Sequence, residues 1–446
     1  MCLNMLKGER IMRKNVFFDK GVAFTIVGLL ICSGLLLLPI QTQATKNNSE
    51  YDLMIITPAD FSNDLQPLLT HKEQHGIFTK IITLDDIYNG IYFDTQGRDD
   101  AEKIKYFIKN ALDTWNIKYV LLMGDTDKIS MRKSYATGTL WSFDFILTDL
   151  YYADIYDQNK NFSSWDTNNN SIFGEFIWDV GQNKTEYIDD VDLYPDVGVG
   201  RLPVSNNKQV KTVVKKIVQY ETQTYNQQWF HRLILMGGDT FPHIGGCEGE
   251  IVTGYIASHM PDFEPVKLWM TLKTFKPRTI NKEISKGAGF VSFSGHGQWW
   301  GLATKRENKS YFGSYYFTPY IFCLKNNMKL PIMFFDCCLT ADLDFKLLNM
   351  KIPCFAWAMV KKSSGGAIAT IGFTESPYGG LVGDPLGGGS CRMNANFFDA
   401  YESGIIISDM LMKAQHAYLD DLWRDCLTLE QCTLIGDPSL KIGGYS

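Results

Sequence analysis

Short apolar runs alternate with amphipathic segments along most of the chain from Tyr51 onward. The apolar runs have the length of buried strands, and the amphipathic segments repeat their apolar residues with the helical period. This alternation predicts an α/β fold in which crossover helices join parallel strands. The predicted strands are residues 51–57, 79–84, 119–123, 197–199, a run from 232, 266–269, 288–293, 331–335 and 367–371. The predicted helices are residues 61–74, 101–115, 208–222, 248–259, 280–286, 353–360, 394–401 and 408–421.

The pattern breaks over residues 129–195, which are rich in loops, aromatic residues and acids. A second strand and helix series begins at Arg232, after a polar join over residues 224–228. We therefore expect two subdomains: an N-terminal α/β subdomain with the acidic loops over residues 45–225, and a C-terminal catalytic subdomain over residues 226–446.

Residues 1–44 have the pattern of an export signal. Basic residues precede an uncharged apolar stretch at 21–40, and small polar residues follow it up to Ala44. Cleavage after Ala44 fits this pattern, and the stretch is also long enough for an uncleaved membrane anchor. Either alternative predicts an extracellular or cell-surface protein, in the second case attached to the membrane.

Composition narrows the possible functions. The chain has 446 residues, of which 45% are hydrophobic, so it can form a large core. Its formal net charge of -6 argues against a nucleic-acid partner, which would favour a basic surplus. Eight of the ten cysteines follow the export segment, and disulfides would be expected among them in an exported protein. A bridge between the adjacent Cys337 and Cys338 would, however, strain the peptide.

Two of the predicted strands are followed by residues that can act in nucleophilic catalysis. The strand at 288–293 runs into Ser-Gly-His-Gly, which contains His296, and the strand at 331–335 runs into Asp-Cys-Cys, which contains Cys338. The carboxyl ends of parallel strands meet at one edge of a sheet, so these side chains can face each other. An imidazole beside a thiol favours the nucleophilic thiolate. Each motif alone is also compatible with a structural role.

Several motifs occur together in the order found in one peptidase family. They are Ser-Gly-His-Gly at 294–297, Asp-Cys-Cys-Leu-Thr-Ala at 336–341, Ile-Pro-Cys-Phe-Ala at 352–356 and Gly-Asp-Pro-Ser-Leu at 436–440. With these motifs the chain resembles gingipain-type cysteine peptidases, family C25, from about Tyr51 to Ile442. The resemblance implies a caspase-like three-layer α/β/α sandwich with mostly parallel sheets in two subdomains.

The resemblance also implies roles for individual residues. Cys338 matches the nucleophile, His296 matches the catalytic histidine, and the amides of Gly297 and Cys338 match the oxyanion hole. Asp154 falls where the family has an acid that orients the histidine, with Asp149 as the alternative. The implied activity is endopeptidase cleavage of protein or peptide substrates through a thioester, with no organic cofactor.

Two departures from the family pattern keep a second function open. Cys337 stands where a small residue usually precedes the nucleophile, and an aromatic insertion at 311–320 lies between the two motifs. The rival hypothesis is a catalytically inactive caspase-like module that serves in surface binding or secretion.

Residues for substrate and metal binding can also be named. The resemblance suggests a buried acid that holds a basic substrate side chain, for which Asp192 is the better match and Asp196 the second. Trp299 and Trp300 follow the histidine and could line an apolar pocket or pack as core. Oxygen-bearing residues alternate along one loop in the manner of structural Ca²⁺ ligands, and the alternative is a plain Asn-rich turn: Asp166, Asn168, Asn170 and Glu175.

Overall fold

The predicted alternation of strands and helices is present in the structure, a computed structural model that describes residues 50–137, 145–179, 184–242, 246–380, 383–422 and 425–446. The strands are β1 Leu53–Thr57, β2 Thr79–Thr83, β3 Tyr119–Met123, β4 Arg132–Thr137, β5 Ile146–Thr148, β6 Phe173–Asp179, β7 Lys184–Tyr187, β8 Gly198–Leu202, β9 Arg232–Gly237, β10 Glu264–Trp269, β11 Phe290–Ser294, β12 His296–Gln298, β13 Gly301–Lys305, β14 Phe312–Phe317, β15 Ile332–Asp336, β16 Lys346–Leu347, β17 Met350–Lys351, β18 Ala369–Phe373 and β19 Cys432–Ile435. The α-helices are α1 Gln66–Gln74, α2 Leu84–Tyr88, α3 Asp100–Trp115, α4 Asn207–Gln223, α5 Glu248–His259, α6 Pro277–Ser285, α7 Thr318–Ile321, α8 Phe355–Lys361, α9 Gly389–Asp399, α10 Ile407–Leu422 and α11 Cys426–Leu429. Three 3₁₀ segments add Ala59–Leu65, Leu150–Tyr152 and Gln228–His231.

One ten-stranded sheet forms the centre of the described chain, in the order β10-β9-β11-β15-β18-β19-β8-β3-β1-β2. Strands β10, β9, β11, β15 and β18 are parallel to one another, and so are β19, β8, β3, β1 and β2. The two blocks meet where β18 and β19 pair in antiparallel fashion. The carboxyl ends of the first block therefore lie at the same edge as the amino ends of the second block.

Burial on both faces explains why the strands read as unbroken apolar runs. Every residue of β1, β3, β11, β15 and β18 is buried, as expected for a parallel sheet covered on two sides. The helices pack in two sets, with α1, α4 and α8 in one and α5, α9 and α10 in the other. The predicted layered α/β architecture with mostly parallel strands is confirmed.

Helix boundaries follow local capping chemistry. In α3 the side chain of Asp99 accepts the Glu102 amide at the start, and Asn116 ends the helix in a left-handed conformation with φ of 55°. Between these ends the helix buries an apolar face that includes Ile104, Phe107 and Ile108. The predicted helix at 101–115 therefore differs from the observed one by a single residue.

The loop-rich segment is more ordered than its sequence pattern indicates. It contains a separate sheet in the order β5-β4-β6-β7, whose strands are short and partly polar. His296 and the residues that follow it form another small sheet, β12-β13-β14, and the aromatic insertion supplies β14. Short two-sided strands with mixed side chains lack the period-2 contrast that identifies a strand from sequence.

The predicted subdomain boundary lies between α4 and β9, and the main sheet continues across it. Residues Lys46–Ser446 form one compact unit, and β19, from the C-terminal half, pairs with both β18 and β8. The predicted export segment at 1–44 lies outside the described residues. In the described part of the chain, no helix has the length and apolarity needed to cross a membrane.

Candidate active site

Three neighbouring strands end in one row, and chemistry-bearing residues follow each of them. Gly237 of β9, Ser294 of β11 and Asp336 of β15 are aligned in register. Two residues beyond each aligned position come Asp239, His296 and Cys338. The structure therefore brings the predicted histidine and thiol to adjacent strand ends at the same sheet edge, together with an acid that sequence analysis did not select.

The two predicted motifs contact each other through Gly297. A Cβ atom at this position would lie 2.4 Å from the carbonyl oxygen of Cys338 and 2.6 Å from the Sγ atom of Cys337. Only a residue without a side chain allows so close an approach. The loop that carries His296 thus packs directly against the loop that carries Cys338.

The two adjacent thiols have different surroundings. The Cys337 side chain is 3% exposed and belongs to the hydrophobic core, whereas Cys338 is half-buried. Burial raises the pKa of the Cys338 thiol above its ordinary value, although hydrogen bonds from the Ser376 side chain and its own backbone amide oppose this shift. Burial raises the pKa of Cys337 still further. Of the two adjacent thiols, Cys338 is therefore the one that is accessible from solvent.

The His296 ring is held by a backbone carbonyl. Its Nε2 atom lies 2.9 Å from the carbonyl oxygen of Thr240, which can only accept, so Nε2 carries the proton. The lone pair then resides on Nδ1. Burial lowers the pKa of His296, so the imidazole is neutral near pH 7, and the rings of Phe241 and Phe312 stand edge-on to it.

The carbonyl that holds His296 is itself anchored by an acid. Glu248, the first residue of α5, accepts the amides of Thr240 at 2.9 Å and Phe241 at 3.3 Å. The preceding residue, Asp239, is fully buried and accepts the Asn308 amide at 2.6 Å. This group was not predicted, although the apolar run from Arg232 also ends abruptly in Gly-Gly-Asp.

Asp154 does not reach the histidine, so its predicted role is corrected. Its Oδ2 atom accepts the Trp165 indole at 2.8 Å, and Lys105 donates to its backbone carbonyl at 2.6 Å. The carbonyl of the neighbouring Ala153 accepts hydrogen bonds from the amides of Asp196 and Val197, which lead into β8. Strands β8 and β11 are four positions apart in the sheet, or roughly 19 Å at the usual strand spacing.

The alternative acid, Asp149, is engaged in a different ion pair. Its two carboxylate oxygens accept Nε and Nη2 of Arg201, each at 2.6 Å, and the Arg201 side chain is fully buried. Both acids that the family resemblance suggested thus belong to the packing around β8.

Asp192 lies in the same buried cluster as Asp154. It is 7% exposed, accepts the Tyr194 amide at 3.1 Å and contributes to the charge felt by Lys105 and Asp154. Asp196 accepts two loop amides from residues 155 and 156. Asp192 thus lies among buried acids near Lys105, and its role in holding a basic substrate side chain stays a prediction.

The two tryptophans after the histidine lie in the turn between β12 and β13 and are half-buried. Trp299 stacks on Phe345 with ring centroids 4.0 Å apart, and its carbonyl accepts the Phe355 amide at 2.7 Å. Trp300 packs against Phe317 at 4.4 Å. Their predicted role in an apolar substrate pocket stays a prediction.

The four residues proposed as calcium ligands do lie close together, but their oxygens are already used. The Asp166 carboxylate pairs with Arg98 at 2.5 Å and accepts the amides of Asn170 and Ser171, while Asn168 and Asn170 donate to Glu175. Within the described ranges, no group of three or more His, Cys, Asp or Glu residues could hold a metal ion. An Arg-neutralised carboxylate does not fit a Ca²⁺ site, so the loop is better described as an Asn-rich turn.

The seven cysteines whose side chains the structure describes are all unpaired, and they include Cys337 and Cys338. The structural disulfides that an exported protein could carry are therefore not formed among these seven residues.

A histidine and a thiol on neighbouring strand ends of an α/β sheet are the arrangement of a cysteine peptidase with a parallel-sheet core. The model of peptidase family C25 matches residues 46–443. The chain therefore belongs to peptidase family C25, as its motifs indicated.

Relatives and solved structures agree with this family. Gingipain R2 of Porphyromonas gingivalis is 22% identical over 403 residues, covering 87% of this chain and 46% of that protein. Lys-gingipain HG66 of the same species is 22% identical over 338 residues, covering 75% of this chain and 16% of that protein. This chain thus spans less than half the length of these relatives.

The fold matches that of a solved gingipain. The crystal structure of the Arg-specific cysteine proteinase gingipain R aligns with a TM-score of 0.62 at 19% identity, covering 88% of this chain and 78% of that one. A complex of the RgpB pro- and mature domains from Porphyromonas gingivalis aligns with a TM-score of 0.61 at 18% identity, over 88% of this chain and 79% of that one. The predicted caspase-like α/β architecture is thereby confirmed.

Proposed function

We propose that this protein is a cysteine endopeptidase that hydrolyses peptide bonds in protein substrates. The observation that carries the proposal is the direct packing of the His296 loop against the Cys338 loop, across the aligned ends of β11 and β15. Family membership supports the same activity.

The protonation states suggest how the reaction proceeds. Burial keeps the Cys338 thiol protonated and the His296 imidazole neutral at pH 7. As the sulfur attacks the substrate carbonyl, the thiol proton passes to Nδ1, the atom left free by the bond to Thr240. The imidazolium then protonates the leaving amine, which departs and leaves a thioester. Water, deprotonated by the same imidazole, hydrolyses the thioester and restores the thiol.

The oxyanion of the tetrahedral intermediate needs donors close to the attacking sulfur. The Cys338 amide already hydrogen-bonds to its own sulfur, and Gly297 lies against the Cys338 backbone. We assign the oxyanion hole to these two amides, as the family resemblance implies. Loss of one such donor typically costs about 10²–10³ in kcat.

Carboxyl groups close to the nucleophile favour a basic substrate side chain. The Glu375 carbonyl accepts the Leu339 amide at 2.9 Å, which places Glu375 beside Cys338. Burial and the neighbouring Asp342 raise the pKa of Glu375 to about 7, and burial raises that of Asp342 to about 6. A cationic side chain would relieve both carboxyls. These groups are an alternative to Asp192 as the proposed basis for Arg or Lys preference.

Peptides that differ only in the residue before the cleaved bond test this preference. We expect faster turnover of Arg or Lys than of Leu, and Glu375→Gln should narrow the difference. Equal turnover of Leu and Arg peptides would disprove it.

Substitution of each adjacent thiol tests the nucleophile. Cys338→Ala should abolish hydrolysis of a fluorogenic peptide and labelling by an iodoacetamide probe at the site. The matched control, Cys337→Ala, should keep the activity, because its buried thiol does not face the substrate. Both proteins should carry Cys323→Ser, since that exposed cysteine would also react. If Cys338→Ala labels as strongly as its parent, the assignment is wrong.

The rival function, a catalytically inactive caspase-like module for binding or secretion, makes the opposite prediction. It requires that the intact chain cleave no peptide although Cys338 remains reactive. The presence of both the histidine and the thiol in one row of strand ends favours the enzyme.

The pattern of residues 1–44 supports export to the cell surface or the medium, with membrane anchoring if the segment is retained. Fractionation of cells that express the chain, with mass analysis of its N-terminus, tests this proposal. A protein confined to the cytoplasm with an intact N-terminus would contradict it.

A further inference from the structure

A groove of about 820 Å³ lies at the side of α4, far from the candidate active site. Its walls are one face of α4 and the loops that precede β15 and β18. Cys338 follows the carboxyl end of β15, whereas the groove lies at the amino end, so the length of a five-residue strand, roughly 17 Å, separates them.

The groove is strongly basic. Four lysines of α4 line it, the remaining polar lining residues carry hydroxyl or amide groups, and none of the described residues that line it has a carboxylate. Lys208, Lys211 and Lys215 are exposed and follow a three- and four-residue spacing, which places them on one helix face over about 10 Å. Lys211 pairs with Asp64 at 3.4 Å, so this acid partly balances one of the three exposed ammonium groups, and Lys208 and Lys215 remain.

The fourth lysine of the groove, Lys216, is buried without an acidic partner among the described residues. Its ammonium donates to three neutral carbonyls, those of Val360, Lys362 and Gly365. Burial, reinforced by the charge of Lys362, lowers the pKa of Lys216 to about 7, and no acid contributes a compensating interaction. With a pKa near 7 this side chain is charged only part of the time at neutral pH, and a nearby opposite charge would favour the charged form. An anion in the groove would supply that opposite charge.

We propose that this groove binds a phosphate-bearing anion through Lys208, Lys211 and Lys215, with the hydroxyls of Ser363 and Ser364 as further donors. Phosphate oxygens accept several hydrogen bonds at once, and lysine ammonium groups and hydroxyls are suitable partners. The volume and the 10 Å row of charges exceed what one phosphate fills, so the ligand carries two or more phosphate groups or presents them in a surface.

Titration calorimetry with tripolyphosphate tests the site directly. The intact protein should bind, and Lys208→Glu with Lys215→Glu should weaken binding by about tenfold or more, because two attractions become repulsions. The matched control is Lys103→Glu with Lys109→Glu on α3, which changes the net charge equally on another helix and should leave the affinity within about twofold. Equal loss in both double variants, or no binding by the intact protein, overturns the proposal.

A second experiment distinguishes a lipid headgroup from a soluble phosphate compound as the ligand. Phosphatidylcholine vesicles with and without phosphatidylglycerol are sedimented with each protein. Binding only to the anionic vesicles, lost in the α4 variant, identifies a lipid headgroup, whereas tripolyphosphate binding without vesicle binding identifies a soluble phosphate compound.

Lys216→Met serves as a second variant, because it removes the buried ammonium group. It should weaken tripolyphosphate binding if circular dichroism shows that the protein stays folded. Unchanged affinity in a folded Lys216→Met protein would remove that lysine from the site.

Discussion

At the scale of single residues, the candidate site depends on how burial sets two pKa values in opposite directions. The pKa of the Cys338 thiol is raised and that of the His296 imidazole is lowered, so both groups are neutral in the resting protein. A pre-formed thiolate–imidazolium pair would require the reverse order of pKa values. In the reaction we propose, the thiol proton is therefore transferred as the sulfur attacks the substrate and not beforehand.

The pH dependence of alkylation checks this resting state. The thiolate is the reactive form, and a raised pKa means that its fraction is small at pH 7 and grows as pH rises through and beyond 9. In a Cys323→Ser background, we expect the rate of Cys338 labelling by iodoacetamide to climb throughout this range. If the labelling rate is instead already constant between pH 5 and pH 7, the thiol is ionised about two pH units below its ordinary pKa. That result would reveal a thiolate–imidazolium ion pair in the resting protein.

Glu248 offers a second test at the same scale, because it anchors Thr240 and raises the pKa of His296 through its charge. Glu248→Gln keeps an oxygen acceptor for the two amides and removes the charge. We expect the pKa of His296, followed by NMR, to fall further and the peptidase pH profile to shift with it. Glu250→Gln, whose carboxylate binds Thr271, is the control and should leave His296 unchanged. An unaltered His296 pKa in Glu248→Gln would exclude this acid from the site.

At the scale of elements, the site consists of strand ends in register, and one glycine sets the distance between their loops. Gly297→Ala introduces a Cβ atom 2.4 Å from the Cys338 carbonyl, so the loops must separate. Overpacking of this kind costs about 1–3 kcal/mol of unfolding free energy, and we expect peptide hydrolysis to fall by about 10²-fold or more. Denaturant unfolding and kcat measurements report the two effects.

Gly254→Ala, within α5, is the matched control. A Cβ there meets its nearest atom, on Trp269, at an ordinary 3.7 Å, so stability and activity should change little. Normal activity in Gly297→Ala would show that the two loops need not touch for catalysis.

The strands and helices of the core could be predicted because burial on both faces makes a parallel strand a continuous apolar run, as in β11 and β15. The same logic located His296 and Cys338, which directly follow such runs. It did not extend to the acid, because Asp154 and Asp149 rest on the family resemblance alone, in a loop region that shows no periodicity. Asp149 pairs with Arg201 of β8 and Asp154 accepts the Trp165 indole, and local sequence does not reveal these tertiary contacts.

At the scale of the whole molecule, a buried ion cluster joins distant parts of the chain. Lys72 of α1 is fully buried, 2.8 Å from Glu221 of α4 and 2.8 Å from Asp437 in the C-terminal segment. Its ammonium also donates to the Ser439 carbonyl at 3.1 Å, and His71 contacts Glu221 at 2.8 Å. The Gly-Asp-Pro-Ser-Leu motif at 436–440 is therefore a structural clasp that holds the last strand segment against the N-terminal helices.

The charges in this clasp are strongly coupled. Burial alone would lower the pKa of Lys72, but Asp437 and Glu221 outweigh it and raise this pKa. Burial alone would raise the pKa of Glu221, but Lys72 and His71 outweigh it and lower this pKa. A carboxyl whose pKa is lowered on folding stabilises the folded protein at pH values above 4.5, which is its pKa in the unfolded chain. This stabilisation is lost as pH falls through the pKa of the same group in the folded protein.

Removing the central cation tests how much the clasp contributes. Lys72→Met leaves Glu221 and Asp437 buried without their partner, and breaking a buried pair from one side costs about 3–5 kcal/mol of unfolding free energy. Lys211→Met, which removes one member of the exposed pair with Asp64, should cost less than about 1 kcal/mol. Denaturant unfolding of both variants at pH 7 measures the difference. Because Lys72→Met removes the charge that lowers the pKa of Glu221, that pKa should rise, and the stability of the variant should recover relative to the parent as pH falls toward 5, where this carboxyl can bind a proton. Equal losses in the two variants at pH 7 would mean that the clasp is no stronger than a surface pair, and the stability of the C-terminal segment would then have to come from the apolar contacts of Leu440 and Ile442 in the core.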